Sequence, residues 1–291
     1  MRTESQHMLR RILAAALLCT AAAVSVHAQW VKYPAPGVPR TKDGKPVLTA
    51  PTPRGANGKP DLSGIWSTDP TPIAEMDRLF PGMLPFAVPG DDPRTFTKYF
   101  LNIFADFKQE DVPFRPEAAQ AFGRHMQTTT ADQSPTARCF PAGVPMGDLL
   151  PLPRRMIHTP ALLAILYEGI NPQRLIYTDG RKLPVDPQPA WMGYSVGTWD
   201  GDELVVQSSG FSDRSWLDGI GHARSEATRI TERIRRRDFG HLEVDVTIDD
   251  PRSYTKPFSI HYTLTLMPDT DVLEYICNEN EKDRTHLAGQ H

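Results

Sequence analysis

From His241 to Asp249 every second residue is aliphatic: Leu242, Val244, Val246 and Ile248 alternate with Glu243, Asp245, Thr247 and Asp249. A period of two puts one set on each face of a strand, so the segment reads as a strand with one dry and one wet side. Phe258–Leu266 repeats the pattern, with Phe258, Ile260, Tyr262, Leu264 and Leu266 on one face. Tyr194–Trp199 and Glu203–Ser209 flank Asp200-Gly201-Asp202, a strong hairpin signal. Glu226–Arg237 turns into His241–Asp249 at Asp238-Phe239-Gly240, and Phe258–Leu266 into Val272–Cys277 at Pro268-Asp269-Thr270. Upstream, Leu162–Glu168 and Arg174–Thr178 are strands joined across Asn171-Pro172. About eight consecutive strands make a meander whose edges must be covered or joined. The expected fold class is mainly β, an antiparallel meander closing into a barrel, with a two-sheet sandwich as the alternative.

Proline marks off the other half. Twenty of the 28 prolines fall between Pro34 and Pro153. Proline lacks the amide hydrogen that helix interiors and central strands need, so residues 29–155 are expected to be mainly extended chain and loop, ahead of a barrel domain at 156–291. Asp61–Trp66 is a candidate short strand. Phe96, Phe100, Ile103, Phe104 and Phe107 recur at near-helical spacing and predict an amphipathic helix over Thr95–Phe107, either core packing or a lid over a cavity. Pro116–Gln127 predicts a second short helix with proline in its first turn.

Arg10 and Arg11 precede an apolar run, Ile12–Val26, that ends in Val26-His27-Ala28. Its length and small residues predict a signal peptide over 1–28, hence a periplasmic or secreted protein. No later apolar run reaches spanning length, so no transmembrane segment is expected in the mature chain. Removing 1–28 leaves Cys139 and Cys277, which in an oxidising compartment are a candidate disulfide; two separate buried thiols are the alternative. A net charge of −3 and a pI near 6.3 give no electrostatic case for nucleic acid.

The candidate site lies between the two hairpins, in the long loop Gly210–Ser225. His222 and Glu226 stand four apart and form a candidate acid/base pair, with His222 oriented by Asp218 or by Glu226. With His241 they would be a weak metal set, but no metal or cofactor motif accompanies them. In Glu226–Arg237 the alternation places Glu232 between the inward Ile230 and Ile234. A carboxylate there needs an ion-pair partner or a wetted ligand site. Trp191, Tyr194, Trp199 and Trp216 are candidate ligand-binding aromatics, with core filling as the alternative.

Trp191–Asp213 (WMGYSVGTWDGDELVVQSSGFSD), Arg214–Arg237, the run TIDDPRSYTKPF and the ending EYICNENEKD resemble a family of exported bacterial proteins with no assigned activity. A looser likeness, through Gly64-x-Trp66 and the meander, is to lipocalin-type barrels, whose first barrel strand begins at that motif. It implies a lipocalin-like barrel, although here a long proline-rich segment separates the motif from the meander. Three function classes follow: a binding protein for a small hydrophobic or amphipathic ligand, a lipocalin-shaped hydratase, isomerase or hydrolase using His222 and Glu226, or a structural or protein-interaction module. A solvent-connected interior favours the first two, and a filled interior favours the third. Oligomeric state is not legible.

Overall fold

The computed structural model describes residues 33–81, 97–128, 134–169 and 172–277. The expected signal peptide, Phe96, Asn171 and the chain from Asn278 onward lie outside the described residues.

Nine strands close into a barrel in chain order: β1 (Gly64–Thr68), β2 (Arg154–Thr159), β3 (Leu162–Tyr167), β4 (Arg174–Tyr177), β5 (Tyr194–Asp200), β6 (Glu203–Ser209), β7 (Arg229–Arg236), β8 (His241–Asp249) and β9 (Phe258–Leu266). β9 returns to β1 through Trp66↔Leu266, so the arrangement is a barrel and not a sandwich. Gly64 opens the first barrel strand, as the lipocalin likeness implies. Neighbouring strands are antiparallel except β4 and β5, which run parallel at Ile176↔Ser195 and Tyr177↔Val196. The segment 178–193, with Pro184, Pro187 and Pro189, carries the chain back along the barrel first, as a parallel pair requires.

Three expected elements differ. Val272–Cys277 is not a strand: β1 occupies the edge of β9 that it would have needed, and Cys277 is instead bonded to Cys139. β2 was not expected, and with β1 it draws residues before 156 into the barrel. The helix expected over Thr95–Phe107 shrinks to one turn. Four α-helices are described: α1 (Ile73–Leu79), α2 (Lys98–Leu101), α3 (Pro116–Thr128) and α4 (Met146–Leu149). After α2, Asn102 turns extended, its Oδ1 accepts from the Phe104 amide at 2.9 Å, and the Ile103 amide donates to Asp218 at 2.6 Å. Side chains thus capture the amides that would have continued the helix. Among the described residues no helix is long and apolar enough to cross a membrane.

The strand faces follow the alternation. Leu242, Val244, Val246 and Ile248 are buried, as are all five residues of the expected β9 face. On β7 the buried set is Ile230, Glu232, Ile234 and Arg236. The inward side chains are buried in one packed cluster, and the polar layer among them is an ion network. Arg174 holds both oxygens of Glu232, reaches Asp148 at 3.4 Å, and donates to Ser208 at 3.1 Å. Arg154 donates to Asp148 at 3.0 Å and to Thr68, and Tyr167 donates to Asp148 at 2.7 Å. Two guanidinium groups face two carboxylates, which is the pairing that makes buried charge tolerable.

The two barrel ends differ. At the end holding the β7–β8 turn, Arg236 lies 4.9 Å from the Trp66 ring and 5.2 Å from Phe239. It donates to the carbonyls of Asp61, Ser63, Asp238 and Phe239. Burial pushes it down to about 10, with Asp61 and Asp238 opposing. At the other end Phe104, Tyr254 and Phe258 close the lumen, and the loop 210–225 folds over them.

Candidate functional site

The loop between β6 and β7 is organised by Asp218. This carboxylate is fully buried and accepts four hydrogen bonds. Oδ1 takes the amides of Gly221 at 3.0 Å and His222 at 3.1 Å, and Oδ2 takes the Ile103 amide at 2.6 Å and Nδ1 of His222 at 2.5 Å. Gly221 makes the turn with φ +93°, a conformation that side chains disfavour. A Cβ there would also stand 2.2 Å from the His125 ring. The Asp-Gly-Ile-Gly-His sequence thus lets one side chain hold both the backbone of the turn and the imidazole.

His222 is 3 % exposed and wrapped in aromatic rings. Phe122 of α3 stacks on it at 4.3 Å with planes 12° apart, Phe114 stacks at 5.6 Å, and Phe104 meets it edge-on at 4.9 Å. All three phenylalanines come from the proline-rich half of the chain. Together with Phe107, Val112, Met126 and Ile220 they line a cavity of about 630 Å³ into which His222 projects. With Asp218 accepting from Nδ1, the neutral ring has its proton there and leaves Nε2 as an acceptor. Nearby, Tyr254 donates to the Ala223 carbonyl at 2.9 Å. Burial, together with the charges of Asp218 and Asp250, holds its phenol well above the ordinary range. Such a site can accept a proton or a hydrogen bond from a bound molecule at one defined atom.

The other candidates are dispersed. Glu226 is exposed and precedes β7, and the group that orients His222 is Asp218. Glu232 sits in the lumen, bound to Arg174. Trp216 is half-buried with its edge to His125 at 4.7 Å, outside the cavity lining. Trp191 stacks on Phe140 at 5.3 Å beneath Arg214, and Tyr194 stacks on Tyr177 at 5.4 Å beside Arg181. Trp199 lies 5.7 Å from His158. His241 bonds Asp238 at 2.6 Å at the far end of the barrel. Among the described residues no group of three or more His, Cys, Asp or Glu side chains is placed to hold a metal ion. The signal for Phe114 and Phe122 was absent from the loop, because they join it only through tertiary packing.

A second cavity, also about 630 Å³, opens at the Trp66 end between the segment 33–38 and the barrel rim. Its charged groups are already engaged: Arg155 bonds Asp271, and Arg236 bonds backbone carbonyls. Cys139 and Cys277 form a disulfide with Cα atoms 5.7 Å apart. Comparison with protein-family models, with curated proteins and with solved structures returns no match to this chain.

Proposed function

We propose that this chain is an exported binding protein for a small apolar ligand, held in the aromatic cavity beside His222. The observation that carries the reading is that cavity: about 630 Å³, walled by phenylalanines, with the buried His222 imidazole in its lining. Apolar concave sites with a few convergent polar groups are the usual form of small-molecule sites. The packed apolar cluster and the paired charges inside the barrel speak for a structural role of the barrel itself, and favour the mouth over the lumen for the ligand. Export rests on the signal-peptide pattern, and the Cys139–Cys277 disulfide is consistent with an oxidising compartment. A second reading has its own support. The Asp218–His222 pair, with Nδ1 held by the carboxylate and the ring lining the cavity, has the arrangement of a general base and would serve an isomerase, hydratase or hydrolase.

The test is native mass spectrometry of the protein purified from its own host, followed by solvent extraction. A retained small neutral molecule, lost when Phe122→Asp places a charge in the wall, supports the reading. Retention unchanged in a folded Phe122→Asp variant contradicts it. Turnover of the extracted molecule by the stripped protein would favour the enzyme.

A further inference from the structure

We infer that the ligand of this cavity is a neutral aromatic molecule carrying a hydrogen-bond donor, a phenol in the simplest case, whose O–H donates to Nε2 of His222. The inference rests on the binding reading above and adds the chemistry of the ligand. Three features carry it.

The first is polarity. Among the described residues, the side chains lining the cavity include no Asp, Glu, Lys or Arg, and the polar members are Asn102, Gln109 and His222. A carboxylate ligand would enter a low-polarity site without a cation to meet it, and would set an acceptor against the Nε2 acceptor. A neutral ligand escapes both costs. The second is the acceptor. In the neutral ring with its Nδ1 proton donated to Asp218, Nε2 presents a lone pair, and His222 lines the cavity while only 3 % exposed. Asn102 is already committed through Oδ1 to the Phe104 amide, and Gln109 is exposed. A donor on the ligand is therefore the group that complements an Nε2 acceptor. The third is the wall. Phe104, Phe107 and Phe114 offer ring faces and edges to a flat ring, which gains beyond area burial from such contacts. A phenolic O–H, with a pKa of about 10, is a stronger donor than an aliphatic alcohol and sits on such a ring.

The experiment is isothermal titration calorimetry of the full mature chain with 2-naphthol, its methyl ether 2-methoxynaphthalene, and 2-naphthoate. The expected order is 2-naphthol about tenfold tighter than the ether, from one partly buried hydrogen bond, with 2-naphthoate weakest. His222→Phe should bring 2-naphthol to within about twofold of the ether. Should that variant fold poorly, a ¹⁵N-histidine spectrum of the wild type decides: Nε2 of His222 moves with 2-naphthol and not with the ether. Equal binding of 2-naphthol and the ether overturns the inference while leaving the cavity as an apolar site. An Nε2 resonance that responds alike to both also overturns it. Absence of binding by either neutral probe overturns the binding reading itself.

Discussion

Asp218 shows how one side chain sets the geometry of a loop. Its four donors include three backbone amides, which would be stranded without it. Asp218→Ala should therefore cost about 3–5 kcal/mol, the range for uncovering buried polar partners of a charge. Urea unfolding checks it, and a loss under about 1 kcal/mol would mean the loop is held by other contacts. Asp250 ties the end of the same loop, accepting from the Ser225 amide at 2.8 Å, Ser225 Oγ at 2.6 Å and Thr228 at 3.0 Å. Burial alone would raise its pKa, but the hydrogen bonds from Ser225, Ser253 and Thr228 outweigh that and hold it below the ordinary range. The folded value then lies below the unfolded one of about 3.9, so the stabilisation is complete above about pH 4 and is lost as pH falls through the folded value. Asp250→Asn should flatten the fall in unfolding free energy below about pH 4, read from urea titrations at several pH values. A slope identical to wild type would contradict this.

At the scale of elements, β7 carries the test of the lumen. Glu232 is the inward carboxylate of β7, flanked on that face by Ile230 and Ile234, and Arg174 of β4 meets it. Glu232→Leu leaves Arg174 with Asp148 at 3.4 Å as its remaining carboxylate, and should cost about 3–5 kcal/mol in chemical denaturation. A neutral result would mean that water enters the lumen. The strands were legible because alternation is written residue by residue: β5, β6, β8 and β9 start at the residues expected. What escaped had no such signal. Val272–Cys277 has strand-forming residues, but the edge it needed is taken by β1, a competition visible only once the barrel is closed. Thr95–Phe107 has helical spacing, yet Asn102 and Asp218 claim its amides. Of the candidate site, His222 and its alternative partner Asp218 were legible from their spacing of four. Phe114 and Phe122 were not, since only tertiary packing brings α3 to the loop.

At the scale of the whole molecule, the described proline-rich half supplies β1, the Asp148 carboxylate inside the barrel, and the aromatic wall of the cavity. The disulfide joins that half to the end of the barrel across 138 residues of sequence. Closing so long a loop stabilises by about 3–5 kcal/mol in the chain-entropy model. Reduction without change of buffer should lower the melting temperature by several degrees, measured by circular dichroism, and an unchanged melting curve would deny the link a structural role.

The proposed ligand site is the cavity at the His222 end, and neither the lumen nor the cavity at the Trp66 end. Methyl NMR addresses it directly, because Met126 and Ile220 line the first cavity, Val246 and Ile260 face the lumen, and Met156 and Met267 line the second cavity. Titration with 2-methoxynaphthalene should shift Met126 and Ile220 in a saturable way and leave the other four in place. Saturable shifts at Met156 and Met267 or at Val246 and Ile260, with Met126 and Ile220 unmoved, would contradict it.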